Sequence, residues 1–253
     1  MSKDEGRRLP VTGLAVGTVP PAVLVCGDPE RATKTAAYLD QATLASEQRE
    51  YRSYYGKYRG VPVAVCSHGV GAPGAAIAFE ELIAAGARRL IRIGTCGGLQ
   101  PDVEDGHLVI ATGAVDYTGF GRATVPPGYP PVADFRLTSA LARQAAMSGH
   151  LHHTGLILTA DNFYPGVETQ RRPDYQLLSA ANVIAVEMEC AALFLVSSLR
   201  RVQAAAILAV DGNVLEKGES MEGYDPHREV VAAAVEAEIE IALKTFKSVE
   251  AGG

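Results

Sequence analysis

Short runs of apolar, mostly β-branched residues alternate along the chain with alanine-rich stretches whose apolar positions recur with helical spacing. The first pattern is typical of strands buried on both faces of a sheet, and the second is typical of amphipathic helices. Their alternation predicts an α/β fold in which helices cover a largely parallel sheet. The predicted strands are Ala22–Cys26, Val61–Ser67, Arg89–Ile93, His107–Ala111, Thr154–Thr159, Val183–Val186 and Ala204–Val210. The predicted helices are Glu30–Leu39, Ala75–Ala85, Leu137–Met147, Glu189–Leu199 and, at the C-terminal end, about Pro226–Lys247.

Two segments depart from this pattern. From Thr43 to Arg59 the residues alternate in the manner of strands, with tyrosines interspersed, and the sheet is predicted to be mixed. The glycine- and proline-rich segment Gly119–Asp134 predicts a long loop. Because no repeat or linker interrupts the 253 residues, we expect residues 1–253 to form a single domain, a three-layer α/β/α fold with a mixed central β-sheet.

The composition predicts a globular protein with a small ligand. Hydrophobic residues make up 47% and charged residues 21%, and the formal net charge is −6. The chain has no run of basic residues, so we expect neither nucleic acid nor a membrane surface as a partner. The first ten residues are polar and no apolar run reaches the roughly 20 residues of a membrane span, which predicts a cytoplasmic protein.

Cysteines and histidines are too dispersed to predict a metal site. Cys26, Cys66, Cys96 and Cys190 lie far apart in or beside apolar segments, form no CxxC pair, and do not combine with the six histidines at zinc-site spacing. We expect reduced cysteines that pack in the interior, and no bound metal.

Ligands of open α/β sheets bind outside the carboxyl ends of the strands, and the first predicted strand is followed there by residues 27–31. Gly27 permits close approach of the backbone, and Arg31 projects from the first turn of the next helix, so this junction predicts an anion-binding site. The alternative is an ordinary helix start, with Asp28 as N-cap and Pro29 at the first helical position.

Arg92 is a charged residue inside an apolar predicted strand, and Thr95 follows in a glycine-rich segment. A buried arginine needs an anionic partner, and its guanidinium forms bidentate bonds to phosphate. We predict that Arg31, Arg92 and Thr95 together bind phosphate. The alternative is that Arg92 pairs with a carboxylate of the protein.

Gly69–Gly74 has the spacing GxGxxG between a predicted strand and a helix, which is weak evidence for a dinucleotide site. Such a site also needs a carboxylate about 20 residues further on, where this chain has Arg92 and Gly94. An NADP-dependent enzyme, with the arginine at the 2′-phosphate, stays open as an alternative. His68 is predicted to be a hydrogen-bonded structural residue.

Carboxylates follow two further predicted strands. Glu187 and Glu189 flank Met188 where a strand passes into a helix, and Asp211 ends the last strand. Glu187 and Glu189 share one side if the strand continues, and paired carboxylates suit vicinal sugar hydroxyls. The alternatives are a carboxylate pair at a helix N-terminus and a capping aspartate.

Taken together, these motifs resemble the nucleoside phosphorylase family that contains the hexameric purine nucleoside phosphorylases and the uridine phosphorylases. They are closest to the apicomplexan-type purine nucleoside phosphorylase, and the similarity spans nearly the whole chain. The segments that carry it are Val23–Arg31, Arg49–Tyr51, Ser67–Gly71, Arg92–Gln100, Asp161–Pro165, Val186–Glu189 and Leu208–Gly212.

The resemblance implies reversible phosphorolysis, in which phosphate attacks C1′ of a nucleoside and releases the base and ribose 1-phosphate without a cofactor, as in nucleoside salvage. The implied phosphate ligands are Gly27, Arg31, Arg92, Thr95 and, from a neighbouring subunit, Arg49. The implied ribose ligands are Glu187, Met188 and Glu189, and the implied base ligands are Cys96, Gly97, Phe163 and Asp211. Arg92 and Asp211 would be catalytic, Asp211 by sharing or donating a proton at purine N7. A loop from Asn213 to Tyr224 would close over the base.

The residues at the base favour a purine. Uridine phosphorylases typically carry Gln and Arg at the positions of Val167 and Thr169, whereas Asp211 is the residue that the purine enzymes use. We expect a 6-oxopurine nucleoside such as inosine, with uridine as the alternative. A phosphate-independent nucleosidase, whose relatives lack the phosphate-binding arginines, stays open as well. So does a non-catalytic nucleoside-binding protein.

The resemblance also implies an assembly. If Arg49 acts across an interface, a dimer is the smallest active unit, and a hexamer built as a trimer of dimers is expected. The chain departs from the family at its start, where a histidine usually reaches the 5′-hydroxyl, because no histidine precedes His68 and the corresponding positions lie around Leu9 to Val11. An apolar residue there predicts use of 5′-deoxy or 5′-methylthio nucleosides.

Overall fold

The computed structural model describes residues 6–164, 166, 167, 169, 172–217, 225 and 228–251. Within these residues strands and helices alternate for most of the length. In chain order they are β1 (Ala22–Cys26), α1 (Pro29–Ala36), β2 (Asp40–Gln48), β3 (Tyr51–Tyr58), β4 (Val61–Ser67), α2 (Ala72–Ala85), β5 (Arg89–Gly98), β6 (Leu108–Tyr117), α3 (Gly119–Thr124), α4 (Phe135–Ser148), β7 (His152–Ala160), α5 (Tyr175–Ala180), β8 (Ala185–Glu187), α6 (Cys190–Arg200), β9 (Gln203–Asn213), α7 (Val214–Lys217) and α8 (Glu229–Ala251).

The strands form one mixed sheet in the order β2-β3-β4-β1-β5-β8-β7-β6-β9. β3 is antiparallel to both β2 and β4, whereas β1 is parallel to both β4 and β5. β9 pairs with β5 in parallel and with β6 in antiparallel orientation. The strands β5, β8, β7, β6 and β9 therefore close into a circuit, and the prediction of a mixed sheet is confirmed.

Side-chain alternation along the buried strands divides the interior between the two faces of the sheet. In β1, Val23 and Val25 join the cluster that contains α2 and α6, whereas Leu24 and Cys26 join the cluster that contains α1, α4 and α8. Helices thus cover both faces, as predicted for this α/β fold. The carboxyl ends of β1, β5 and β9 point to the same edge.

Several strands are longer than predicted. β5 runs on to Gly98 and β9 to Asn213, because the two pair in parallel along this length, with a register shift after Cys96. β6 likewise continues to Tyr117 in parallel register with β7. A neighbouring backbone therefore holds the glycine-rich end of β5 extended, although its side chains carry no strand signal.

The prediction of a long loop over 119–134 is wrong in part. Residues 119–124 form α3, whose N-cap Thr118 accepts a hydrogen bond from the Gly121 amide at 3.0 Å. The short helix α5 was also absent from the predicted elements. In the predicted closing loop, Asn213 belongs to β9 and residues 214–217 form α7, while residues 218–224 lie outside the described residues.

Candidate active site

The ends of β1, β5 and β9 and the turn between β8 and α6 surround one cavity of about 770 Å³, a volume typical of small-molecule sites. Nearly all the residues predicted for phosphate, ribose and base line it. They are Gly27, Arg31, Arg92, Thr95, Cys96, Gly97, Phe163, Glu187, Met188, Glu189 and Asp211.

Arg49 is the predicted site residue that the described chain does not bring to this cavity. It lies in the turn between β2 and β3, where it is exposed and has a φ of 54°. The fold therefore does not place Arg49 at the cavity of its own chain. Its action across a subunit interface stays a prediction.

One end of the cavity is built by the β1–α1 junction. Asp28 is the N-cap of α1 and accepts a hydrogen bond from the Glu30 amide at 2.8 Å, so the ordinary helix start is confirmed. Gly27 and Arg31 nevertheless line the cavity. A Cβ at Gly27 would lie 3.3 Å from the carbonyl oxygen of Gly69, so the two backbones approach closely here.

Arg92 is buried beside this end and pairs with protein carboxylates, which was the alternative to phosphate. Its Nε lies 3.2 Å from Glu187 Oε2 and its Nη2 lies 2.5 Å from Glu189 Oε2. Burial opposes the charge, but Glu189 and Glu187 outweigh it and raise the pKa of Arg92. The guanidinium also lines the cavity, and phosphate binding by Arg92 stays a prediction.

His68 lies behind Arg92 as a neutral imidazole. Its Nδ1 lies 2.8 Å from the carbonyl oxygen of Gly69, and its Nε2 lies 3.4 Å from Arg92 Nη1. Burial and the charge of Arg92 hold the pKa of His68 well below its ordinary value. His68 therefore donates through Nδ1 and accepts at Nε2, as expected of a structural residue.

Glu187 organises the start of α6. Its Oε1 accepts a hydrogen bond from the Thr159 hydroxyl at 2.6 Å, and its Oε2 accepts from the amides of Glu189 and Cys190 at 2.8 and 2.9 Å. β8 ends at Glu187, so the continued strand that would align the two glutamates does not form. The helix N-terminus alternative is confirmed for Glu187, and ribose binding by it stays a prediction.

Glu189 is the carboxylate that this turn presents to the cavity. Its Oε1 accepts a hydrogen bond from the Gly71 amide at 2.6 Å, while its Oε2 faces Arg92. Burial raises the pKa of Glu189 and the charge of Arg92 acts to lower it. The GxGxxG segment thus provides a hydrogen-bond donor to Glu189, the backbone amide of Gly71.

Asp211, buried near the end of β9, lines the cavity together with Phe163 and Met188. Arg228 was missed by sequence reasoning. Its Nη2 donates to the backbone oxygen of Asp211 at 2.7 Å, and its Nη1 pairs with Asp105. An arginine just before a helix has no pattern that marks it as a site residue.

Glu238 of α8 was also missed. It is fully buried, accepts a hydrogen bond from the Gly94 amide at 3.2 Å, and lies 3.6 Å from Arg31 Nη1. The signal that could have found it was an acidic residue inside the apolar stripe of the C-terminal helix, next to Ile239 and one turn after Ala234.

The described residues contain no group of three or more histidine, cysteine, aspartate or glutamate side chains that is arranged to hold a metal. All four cysteines are buried free thiols, as predicted. In the same part of the chain, none of the helices combines the length and apolarity that crossing a membrane requires.

Comparison with known proteins places this geometry in a family. The family model described as the phosphorylase superfamily matches residues 21–247. The chain is 38% identical over 234 residues to the uridine phosphorylase of Treponema pallidum, covering 89% of this chain and 91% of the relative. It is 36% identical over 227 residues to the purine nucleoside phosphorylase of Plasmodium vivax, covering 89% and 90%.

A solved structure shows the same fold. The purine nucleoside phosphorylase of Toxoplasma gondii, crystallised in complex with immucillin-H, superposes with a TM-score of 0.88 at 29% sequence identity. The match covers 100% of this chain and 99% of that one. Purine and uridine enzymes are therefore similar to this chain to comparable degrees.

Proposed function

Because the chain belongs to the phosphorylase superfamily, we propose that it cleaves a 6-oxopurine nucleoside such as inosine to the free base and ribose 1-phosphate. Nucleoside phosphorolysis, and with it the enzyme class of pentosyltransferases, follows from the family. The purine base is the proposal, and the single observation that carries it is Asp211, a buried carboxylate that lines the cavity. Inorganic phosphate would be the co-substrate, with no cofactor.

Phosphate would bind at the end formed by Gly27, Arg31, Arg92 and Thr95. A guanidinium has five N–H donors, and the contacts of Arg92 to Glu187, Glu189 and His68 use three of them. Cys190 is a further hydrogen-bond partner of the guanidinium, and the donor that remains would bind the anion. Fixed beneath C1′, phosphate would lose little further entropy on attack and would stabilise the cationic sugar of the transition state.

The ribose would lie over Glu189. Each of its carboxylate oxygens accepts one hydrogen bond, from the Gly71 amide and from Arg92 respectively. Each oxygen can accept a second one, which matches the two vicinal hydroxyls of ribose. Met188 lines the cavity next to Glu189 and would pack against the sugar.

The base would lie between Phe163 and Asp211, with Cys96 and Gly97 beside it. A Cβ at Gly97 would lie 2.6 Å from Val214 Cγ1, so only glycine leaves this wall of the cavity in place. Asp211 would share or donate a proton at purine N7 as the glycosidic bond breaks. Val167 is 85% exposed and carries no amide with which to read uracil.

We propose in addition that the active unit is at least a dimer, within a hexamer built as a trimer of dimers. The observation that supports this is the position of Arg49, which is exposed on the β2–β3 turn and outside the cavity of its own chain. A second copy would supply Arg49 to the phosphate.

The test is release of free base from inosine, uridine and 5′-methylthioadenosine, each with and without millimolar phosphate. We expect turnover of inosine that requires phosphate, and little turnover of uridine. Faster uridine cleavage would replace the purine proposal, and cleavage without phosphate would contradict phosphorolysis. Adding 5′-deoxyinosine tests the missing N-terminal histidine, for which comparable kcat/KM with inosine is expected.

A further inference from the structure

We propose that Glu238 is a positioning residue for phosphate binding, which frees Arg31 for the anion when its carboxyl carries a proton and holds Arg31 when it does not. The inference rests on the proposed function, because it assumes that phosphate binds beside Arg31. It assigns a role in the reaction to a residue of the C-terminal helix that does not touch either substrate.

The geometry places Glu238 directly behind the phosphate end of the cavity. Its Oε2 accepts a hydrogen bond from the Gly94 amide at 3.2 Å, and its Oε1 lies 3.6 Å from Arg31 Nη1. Gly94 and Arg31 line the cavity, whereas Glu238, among the residues described, does not. One buried side chain thus contacts both the wall and the cation of the predicted phosphate site.

Of the two carboxylate oxygens of Glu238, Oε1 has fewer hydrogen-bond partners than Oε2. It is fully buried and makes no hydrogen bond among the described residues, so the distant contact to Arg31 is its principal polar interaction. A buried ionised carboxylate is costly when one of its oxygens lacks a hydrogen bond. Protonation removes that cost, and it also removes the charge that holds Arg31.

The charged and polar groups that face Glu238 come from three neighbouring elements. α1 contributes Arg31, and β5 contributes Arg92 and the Cys96 thiol, while β9 contributes the backbone of Ala209. Burial raises the pKa of Glu238 to about 8, although Arg31, the Gly94 amide and Arg92 act to lower it.

The other elements packed on α8 present apolar groups to it. Leu137 and Leu141 of α4 and Val63 of β4 belong to the same core cluster as the apolar side chains of α8. Arg136 and Arg143 of α4 are not part of that cluster. The protonation of Glu238 is therefore governed by its burial and by the arginines of the phosphate site.

The protonation state of Glu238 determines whether Arg31 is available to phosphate. At neutral pH the carboxyl is mostly protonated and Arg31 is available to the anion. Above pH 8 the carboxylate competes for Arg31, so phosphate must bind with uptake of a proton at Glu238. Inorganic phosphate is already a dianion in that range, and its own titration does not weaken binding there.

The kinetic test compares the full-length wild type with Glu238→Gln at saturating nucleoside. The wild-type KM for phosphate should rise about tenfold between pH 7 and pH 9, whereas that of the variant should stay nearly flat. The KM for nucleoside should change alike in both. Glu236→Gln is the matched control, since Glu236 is exposed on the same helix, and it should reproduce the wild-type rise. An equal rise in Glu238→Gln would overturn the proposal.

A second measurement needs no variant. Calorimetric titration of the wild type with inorganic phosphate at pH 8.5, in buffers of different ionisation enthalpy, should show net proton uptake on binding. Binding without uptake would overturn the role of Glu238 alone. If phosphate does not bind and no nucleoside is cleaved with it, the proposed function and this inference fall together.

Discussion

Arg92 and Glu189 are joined inside the cavity, with Nη2 of the guanidinium 2.5 Å from Oε2 of the carboxylate. The two residues come from β5 and from the turn before α6, and both are nearly fully buried. Because Glu189 is the proposed ribose ligand and Arg92 a proposed phosphate ligand, one ion pair connects the two substrate positions. Loss of its geometry should disturb both substrates together.

Arg92→Lys tests this connection. An ammonium cannot form the planar fork that meets Glu187, Glu189 and an anion at once. We expect kcat/KM to fall about a hundredfold or more, with a higher KM for phosphate and for nucleoside, measured by initial rates. Arg89→Lys is the control, because Arg89 begins the same strand and pairs at the surface with Glu250. A change in the phosphate KM alone would show that Arg92 does not position Glu189.

Thr159→Val tests the support of the β8–α6 turn. The buried Thr159 hydroxyl donates to Glu187 Oε1 at 2.6 Å and accepts from the Ala191 amide at 3.0 Å. Its loss leaves buried polar groups unsatisfied, which should lower the free energy of unfolding in urea by about 1–3 kcal/mol and raise the KM for nucleoside.

The matched control for that variant is Thr124→Val. The Thr124 hydroxyl is exposed and donates to the Phe120 carbonyl within α3. We expect a change in the free energy of unfolding of about 0.5 kcal/mol or less. Equal effects of the two substitutions would contradict the structural role given to Thr159.

Much of the site could be predicted from sequence because strand ends are easy to recognise. An apolar run followed by Gly27 or by Thr95 indicates which groups lie towards the carboxyl end of a strand, although β5 itself continues past Thr95 to Gly98. Parallel pairing of β1 with β5, and of β5 with β9, then brings those ends to one edge. The residues need not be close in the chain, since the sheet makes them neighbours.

Contacts from residues that do not lie at the ends of strands could not be predicted from the strand pattern. Glu238 reaches the phosphate end from a helix packed under the sheet, and Arg228 reaches Asp211 from the residue before that helix. Which turn of a helix faces a given strand end depends on tertiary packing. Sequence also could not decide whether Arg92 pairs with Glu187 and Glu189 or binds phosphate. That depends on where β8 ends, which the sequence does not reveal.

Glu238 should also make stability depend on pH. Burial raises its pKa from 4.5 to about 8, so the folded state holds this proton more tightly than the unfolded chain. The stabilising contribution is complete below about pH 4.5 and is lost as the pH rises to about 8.

Glutamine does not titrate, so the thermal midpoint of Glu238→Gln should rise relative to wild type between pH 5 and pH 8 and then level off. The corresponding free energy is on the order of a few kcal/mol. Thermal unfolding across this range measures it, with Glu236→Gln as the exposed control. A constant difference in midpoint would contradict a raised pKa.

Mixed assemblies test whether Arg49 acts across an interface. Arg49→Gln and Asp211→Asn should each abolish most activity in a pure assembly. In a mixed dimer one site would combine an intact Asp211 with an intact Arg49 of the other copy. Random mixing in equal amounts should therefore restore about a quarter of wild-type activity. Mixtures as inactive as the separate variants would contradict the trans arrangement.

Asp211→Asn distinguishes proton donation from simple base binding. An amide keeps the size of the carboxyl but has no acidic proton to give to purine N7, so kcat/KM for inosine should fall about a hundredfold or more. In 7-methylinosine the methyl group already places a positive charge on the imidazole ring, and the base can leave without that proton. The same variant should therefore lose less than about tenfold with 7-methylinosine. Rates of base release for both substrates, in wild type and variant, give the comparison directly. Equal losses would mean that Asp211 holds the base without protonating it, and the argument for a purine from this residue would fail.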